Sequence, residues 1–384
     1  MLKRISDSAK REFPNIPFPH KKDEYWRFAD LSAWGMEGLF PYFSSSNPPS
    51  GERCVRVREL EKSAMTTQVC IVDGQLIGCE LPDGVEIMSL KQACENHAQV
   101  VESFYSMPNG KLDSFQASRV ENGVFVRVSE NTSAQIDLSV IAKMHLSPCG
   151  VFFLLEKNSS LFLKKTSLTF GGSLSCSRFG FMLSDGSSLK YAQHKYSERS
   201  ALMFEREDFI LGERCEIVDA MAQEGLAHSR SERNFFINGA HSEVDSRVFL
   251  KTIGNITADL RTKQIHSVES AKSNLEVKAA IDDSSAIAFT GLVDVCEQAQ
   301  QTEAYQSCRS LLLSKEAKAQ ASPILEISAN DVLCAHGCTV AEPDKEELFY
   351  MRSRGLNMKQ ARAMIVDSFA GTTFENFSQD SQEF

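Results

Sequence analysis

The sequence predicts a mainly β protein with helical segments at both ends. Three observations support this prediction. From about residue 120 to residue 340, short runs of β-branched and aromatic residues alternate with small polar turns, and helical periodicity is mostly missing. Within this stretch the polar turns recur at nearly constant intervals. The residues after Glu342, in contrast, carry the capping residues and apolar spacing that are typical of helices.

The first zone, residues 1–120, has a mixed pattern. Asp23–Trp34 is predicted to begin a short helix, and Leu60–Ala64 and Ser89–Val101 are also predicted to be helical. Phe40–Gly51 is rich in serine and proline, which is typical of a loop. A chain of 384 residues exceeds one ordinary compact core, so we expect two or three domains or one elongated domain.

The middle zone, residues 121–341, is predicted to be built of short strands. The clearest apolar runs are Phe125–Val128, Val151–Leu155, Ser160–Leu163, Phe179–Leu183, Leu189–Ala192, Phe209–Leu211, Phe235–Ile237 and Arg247–Leu250.

The turns between these runs repeat about every 27 residues. They are Asn131–Ser133, Asn158–Ser160 and Gly186–Ser188, with similar turns near Gly212 and Gly239. Regular spacing of this kind indicates a solenoid, in which each coil covers the apolar face of its neighbour. A β-sandwich also has short strands between turns, so the pattern alone leaves both architectures open.

The last zone, residues 342–384, predicts a helical hairpin. Pro343 is placed as the first helical residue, followed by acidic residues that favour the positive end of the helix dipole. Gly355 is expected to end this helix in a left-handed conformation. Asn357 and Gln360 form a capping-box-like restart. The inward face of the second helix is predicted to contain Ala361, Met364, Ile365 and Phe369, and the tail Gln379–Phe384 is expected to fray.

Charge and composition narrow the classes of partner. The net charge is −10, and no segment gathers lysine and arginine into a long basic stripe, which argues against nucleic acid as the main partner. No apolar run reaches the roughly 20 residues of a membrane-spanning helix. No secretory signal opens the chain, and its eleven cysteines form no CxxC pattern. We therefore expect a cytoplasmic protein whose cysteines are mostly free thiols.

Three possible metal ligands stand at alternate positions near the end of the β zone. Cys334, His336 and Cys338 would point to one face of a strand, about 7 Å apart. Thiolate and imidazole are ligands that iron–sulfur clusters accept, but three of them leave a cluster incomplete. The alternative is an inward face of small apolar residues with one hydrogen-bonded histidine.

Several motifs in the second half of the chain resemble the SufD family. These are QQTEAYQSCRSLLL at Gln300–Leu313, PILE at Pro323–Glu326, DVLCAHGCTV at Asp331–Val340, ELFYMRSRGL at Glu347–Leu356 and QARAMI at Gln360–Ile365. The early EYWRFADL at Glu24–Leu31 resembles the family's amino-terminal motif. Close similarity covers about a fifth of the chain. The middle zone resembles the family only in its alternation of short apolar runs and polar turns.

The resemblance implies a right-handed parallel β-helix over residues 121–341, between an amino-terminal domain of residues 1–120 and a carboxy-terminal helical domain of residues 342–384. It implies a scaffold subunit, not an enzyme, in a cytosolic complex for iron–sulfur cluster assembly. In that complex SufD pairs with its paralogue SufB through the β-helices and docks the ATPase SufC through the carboxy-terminal helices. A cluster would be held transiently with a partner, and ATP would act only through SufC, because this chain has no Walker A motif.

The resemblance also assigns residues. Cys334 and His336 match positions at the SufB interface, where they would bind iron or a cluster transiently, whereas Cys338 stands where the family commonly has alanine. Cys308 lies where SufB carries a functional cysteine. The set that matches the SufC-docking region is Leu348, Phe349, Tyr350, Arg352, Arg354 and Gly355.

Two other functions stay open at this point. The chain could be a SufB-like subunit that holds the nascent cluster, because of Cys308, or a β-helix enzyme acting on polysaccharides, since fold does not determine function. The missing signal peptide and the helical hairpin weigh against the enzyme. Whether the chain pairs with itself when SufB is missing does not follow from the sequence.

Overall fold

The computed structural model describes residues 2–16, 63, 65, 67–105, 111–118, 123–371 and 373–374. The predicted helix at Asp23–Trp34, the motif Glu24–Leu31, the loop Phe40–Gly51, most of Leu60–Ala64 and the tail Gln379–Phe384 lie outside these residues. The helices are α1 Leu2–Glu12, α2 Leu90–Asn96, α3 Ala98–Tyr105, α4 Lys111–Ser118, α5 Lys345–Ser353 and α6 Met358–Gly371, with a 3-10 turn at Phe13–Asn15.

Nineteen strands are found in the described part of the chain. They are β1 Val69–Val72, β2 Gln75–Cys79, β3 Val85–Ser89, β4 Gly123–Val128, β5 Ser133–Ala142, β6 Leu146–Leu155, β7 Ser160–Thr169, β8 Leu174–Leu183, β9 Ser188–Ser197, β10 Leu202–Leu211, β11 Glu216–Gly225, β12 His228–Ile237, β13 Glu243–Thr252, β14 Thr257–His266, β15 Lys272–Ile281, β16 Ala286–Val295, β17 Thr302–Leu312, β18 Lys318–Ile327 and β19 Val332–Ala341.

The strands form two sheets with alternating membership. One sheet has the order β19-β17-β15-β13-β11-β9-β7-β5-β1-β2, and the other has the order β18-β16-β14-β12-β10-β8-β6-β4-β3. Every pairing between β4 and β19 is parallel, so the chain winds as a parallel β-solenoid of about eight turns. The predicted solenoid is confirmed, and the sandwich alternative is wrong, because among the described strands antiparallel pairing is confined to β1–β2 and β3–β4.

The corners of the coils explain the repeat of about 27 residues. Asn131, Asn158, Gly186, Arg214 and His241 all have left-handed φ values between 52° and 72°. The backbone N–H of each of the first four donates to a carbonyl of the following corner, at 2.8–3.1 Å. Consecutive corners therefore stack in a hydrogen-bonded column along the solenoid.

The turns predicted near Gly212 and Gly239 are shifted by two residues, because the left-handed residues there are Arg214 and His241. The two glycines serve a different purpose. A Cβ added to Gly239 would lie 2.0 Å from the carbonyl carbon of Gly212, so the stacked corners approach too closely for a side chain.

Apolar side chains fill the interior of the first coils. Phe153, Phe181, Phe209 and Phe235 occupy one column, with ring centroids 4.9, 4.8 and 4.7 Å apart and planes within 11° of parallel. Stacked rings of this kind bury large areas on successive coils. They fix the coils in register from β6 to β12.

A cluster of charges is also buried inside the solenoid. Its cations are Lys165, Lys195 and Arg233, and its carboxylates are Glu205, Glu207 and Asp219. Lys165 Nζ lies 2.9 Å from Glu205, and the Arg233 guanidinium lies 2.6 Å from Glu207 and 2.7 Å from Asp219. Burial alone would raise the pKa of Glu207, yet Lys165 and Arg233 hold it well below the ordinary value. The three cations and three carboxylates therefore balance in charge within the interior.

A buried histidine makes the fold sensitive to acid. His266 is fully buried, its Nε2 lies 2.8 Å from Ser273 Oγ, and burial lowers its pKa to about 4. The unfolded chain takes up this proton near pH 6.5, whereas the folded chain resists it until about pH 4. The stabilisation is therefore complete above pH 6.5 and is lost as the pH falls towards 4.

We expect this one residue to account for roughly 3 kcal/mol of acid destabilisation, the equivalent of its pKa shift. In urea unfolding at pH 7.5 and pH 4.5, the variant His266→Gln should show a smaller loss of unfolding free energy on acidification than the wild type. An identical loss in the two proteins would contradict the assignment.

Helices from both ends pack on the outside of the coils. Ser89 caps α2 in a capping box with Gln92, and His97 separates α2 from α3, so the segment Ser89–Val101 predicted to be helical is divided between two helices. Phe104 of α3 stacks on Phe152 at 5.0 Å. No helix among the described residues has the length and apolar character needed to span a membrane.

Candidate functional site

The solenoid ends in two strands that lack a further neighbour. In the part of the chain that the structure describes, β18 pairs only with β16, and β19 pairs only with β17. Large apolar side chains are exposed on both strands: Ile324 and Ile327 on β18, and Leu333 and Val340 on β19. Open strand edges with apolar side chains form a surface suited to pairing with another chain. We call these two strands the end face.

The predicted ligands lie on this end face. Cys334, His336 and Cys338 alternate along β19 and stand in register with Ala304, Gln306 and Cys308 of β17. Since alternate residues of a strand share a side, all six face the interior of the last coils. Cys334 is half-buried, whereas His336 and Cys338 are exposed. The shared face predicted from the sequence is therefore present.

These donors do not form a metal site on their own. Among the described residues, no group of three or more His, Cys, Asp or Glu side chains is close enough to hold a metal ion. Burial raises the pKa of the Cys334 thiol, so the free chain holds it protonated, and a metal would have to displace that proton. The donors at this edge therefore form no complete ligand set among the described residues.

Cys308 and Cys338 are brought together on adjacent coils. They are register partners on β17 and β19. Burial raises the pKa of Cys308 to about 12, with a smaller contribution from Cys338. The sequence analysis named both residues without connecting them. Their separation of 30 residues, close to the length of one coil, was the available indication.

The helix α5 presents the predicted docking residues. Phe349 and Tyr350 are 76% and 59% exposed, and no residue of α5 is buried. Leu348 is half-buried, and Arg352 lies in the last turn. The Arg354 guanidinium lies over the Tyr350 ring, 5.2 Å from its centroid. A shallow cleft beside the helix end is lined by Phe349, Arg352, Ser353, Gly355, Leu356, Asn357 and Met358.

One detail of this hairpin differs from the sequence prediction, and one confirms it. Asp344, not Pro343, defines the start of α5: its carboxylate accepts a hydrogen bond from the Glu346 N–H at 2.7 Å, so the helix begins one residue after this cap. Gly355 has φ +95°, as predicted for a left-handed stop.

The second helix, α6, packs on the outer face of the sheet that contains β13 and β15. Ala361 and Val366 are buried, and Ile365 and Phe369 are partly buried. The prediction that Met364 faces inward is wrong, since it is 51% exposed. The side of α6 that packs on the sheet is centred between residues 365 and 369, so the side chain at position 364 points towards solvent.

Comparisons with known proteins agree with this architecture. A family model described as "SUF system FeS cluster assembly, SufBD core domain" matches residues 147–369. The iron–sulfur cluster assembly protein SufD of Escherichia coli (strain K12) is 29% identical over 198 residues, which cover 52% of this chain and 47% of that protein. The match thus spans about half the length of the E. coli relative.

Two further relatives match over more of their length. The iron–sulfur cluster assembly protein SufD of Bacillus subtilis (strain 168) is 23% identical over 306 residues, covering 76% of this chain and 70% of that protein. Protein ABCI7, chloroplastic, of Arabidopsis thaliana is 24% identical over 410 residues, covering 98% and 82% respectively. The match to the family model covers the solenoid from β6 onward, α5 and most of α6.

Proposed function

Because the chain belongs to the SufBD family of the SUF system for iron–sulfur cluster assembly, we propose that it is a scaffold subunit that performs no chemistry of its own. The observation that carries this proposal is the end face, where open strand edges, exposed apolar residues and separated sulfur and nitrogen donors coincide. A cytoplasmic location belongs to the proposal, because the structure records no disulfide among the cysteines of the described residues.

The end face is proposed to pair with the paralogue SufB. The unpaired edges of β18 and β19 can continue each sheet into a partner's strands, and the exposed Leu333 and Ile324 would be buried on pairing. Without SufB, the same edges in two copies of this chain could meet around a two-fold axis, so a homodimer is the expected substitute.

A nascent cluster is proposed to be held between the two subunits. Cys334 and His336 would each supply one ligand from this chain, and the paralogue would supply the others, since the described residues contain no complete ligand set. The cluster is cargo in this arrangement and leaves with an acceptor protein. No cofactor is then bound stably by this chain.

One observation favours a second candidate, a SufB-like subunit that holds the cluster itself. Cys338 on the end face and Cys308 on the neighbouring strand β17 place two thiols on adjacent coils. Such a subunit would retain iron and sulfide when isolated, whereas a SufD-like subunit would not.

The helix α5 is proposed to dock the ATPase SufC. Large exposed aromatic residues and arginines are the side chains that dominate binding energy at protein interfaces, and Phe349, Tyr350 and Arg354 project together from this helix. ATP would then act on this chain only through SufC.

Replacing Phe349 and Arg354 by alanine together should weaken SufC binding by about 30-fold or more, because each is expected to contribute on the scale of an interface hot spot. Titration calorimetry with purified SufC measures the affinity, and Met364→Ala, which removes an exposed side chain of α6, is the matched control. Circular dichroism should show both variants folded. A folded double variant with wild-type affinity would refute docking through α5.

A further inference from the structure

Cys308 and Cys338 lie on adjacent strands at the end of the solenoid, at a spacing that permits a reversible disulfide. Cys308 and Cys338 are register partners in a parallel ladder, whose strands lie about 4.8 Å apart. Disulfides join residues whose Cα atoms are about 4.4–6.8 Å apart, so this separation lies within the permitted range. Both residues stand at inward-facing positions of their strands, so the two thiols lie on the same side of the sheet.

The two thiols differ in access to solvent. Cys338 is exposed on the last strand, whereas Cys308 is only 3% exposed and lies one coil deeper. A small reagent can therefore reach Cys338 first, and the sulfur of Cys308 is the neighbour that can displace it. This is the order of access of an attacking and a resolving cysteine, and because burial raises the pKa of both thiols the exchange is expected to be slow near pH 7.

The last strand is able to make the adjustment that a disulfide needs. The Cβ atoms of a disulfide are about 3.8 Å apart, closer than the strands of a sheet, so β19 would have to move towards β17 at this point. In the described part of the chain β19 is hydrogen-bonded to β17 alone, and seven consecutive residues from Ala335 to Ala341 are exposed. A bond formed with such distortion is more easily reduced than an unstrained one.

We propose that Cys308 and Cys338 form a reversible dithiol–disulfide couple that exchanges with low-molecular-weight disulfides. The Cys338 sulfur attacks one sulfur of the small disulfide, gives its proton to solvent and expels the first small thiol. The Cys308 sulfur then attacks the Cys338 sulfur of the mixed disulfide, loses its own proton and expels the second small thiol. The two cysteines together lose two electrons, and the small disulfide gains them as two thiols.

The consequence of this bond rests on the proposed function. Cys338 stands two residues from His336 on the surface proposed to pair with SufB. The oxidised couple removes the exposed Cys338 thiol from that surface and links β17 to β19 covalently. Oxidation would thereby distinguish the end face of subunits that are not yet paired, because Cys338 is then part of a disulfide.

The test uses the full chain alone with oxidised glutathione as the small disulfide. After incubation, free thiols are alkylated and the protein is digested for mass spectrometry. We expect a peptide pair joined through Cys308 and Cys338, and its disappearance after treatment with dithiothreitol. The exposed Cys79 should carry glutathione as a mixed disulfide, which provides an internal control for a single accessible thiol.

Two variants distinguish this mechanism from simple exposure. Cys308→Ser should leave glutathione attached to Cys338, whereas Cys338→Ser should leave Cys308 unmodified. A wild-type chain that retains glutathione on Cys338, or that stays unmodified there, would overturn the proposal. The assay contains no partner protein, so a negative result leaves the scaffold proposal intact, and failure to bind SufB or SufC would leave the disulfide intact.

Discussion

Replacing His336 by alanine is expected to abolish cluster assembly while leaving the SUF complex intact. An imidazole can bind iron through one nitrogen while a second partner orients the other, and alanine can do neither. His336 is exposed at the end of the solenoid, so its removal should cost little packing. Cys334→Ala should lower the yield less severely. Melting temperature and anaerobic cluster yield, measured on one preparation of the complex with SufB and SufC, separate ligand loss from unfolding.

The control for this experiment is Cys79→Ala, which removes an exposed thiol from β2, among the opening strands far along the chain from the end face. Its cluster yield should equal that of the wild type. If His336 served only the fold, its truncation would instead lower stability, typically by about 1–3 kcal/mol, with normal yield per folded complex. A His336→Ala complex that builds clusters normally would end its role as a ligand.

The second large effect is expected at the charge cluster inside the solenoid. Arg233→Met should lower the free energy of unfolding by about 3–5 kcal/mol, because it leaves Glu207 and Asp219 buried without their shared cation. Methionine keeps an unbranched side chain but also removes the guanidinium, whose Cζ lies 5.6 and 5.7 Å from the ring centroids of Phe209 and Phe235. Urea unfolding followed by circular dichroism measures the loss.

Lys157→Met is the matched control for an exposed pair. Lys157 lies 3.5 Å from Asp185 with 63% of its side chain exposed, so its replacement should change stability by less than about 1 kcal/mol. Equal, small effects of the two substitutions would show that the interior charges are not mutually dependent.

The repeat of polar turns made the fold largely predictable from sequence. Asn131 and Asn158 are residue types that accept left-handed φ values, and they occur at the corner in successive coils. The choice between solenoid and sandwich could not follow from this pattern, because both contain short strands between turns. The solenoid and the sandwich differ in the relative direction of paired strands, and the pairing is parallel from β4 onward.

The interior charges were not predicted, for a physical reason. Lys165, Glu207 and Arg233 occupy inward positions of their strands, where alternation of apolar and polar residues predicts apolar side chains. Their compensation depends on neighbours in other coils, such as Asp219 beside Arg233. Which charged residues become neighbours is known only when the coils are stacked. The apolar runs predicted from the sequence stop short of these charged positions, and they are therefore shorter than the ten-residue strands of the structure.

The candidate site was predictable where it depended on one strand. The alternation of Cys334, His336 and Cys338 follows from the two-residue period of a strand, and β19 has that form. The position of this strand at the edge of its sheet, and the proximity of Cys308 to Cys338, depend on where the solenoid ends. The sequence contains no local pattern that marks either fact.

The most direct test of the central claim is the iron and acid-labile sulfide content after anaerobic reconstitution. It should be measured for this chain alone and for its purified complex with SufB and SufC. A scaffold with an incomplete ligand set should contain no stable cluster alone and should contribute to a loaded complex when its partners are present. A stoichiometric cluster on the isolated chain would contradict the account and favour the SufB-like alternative.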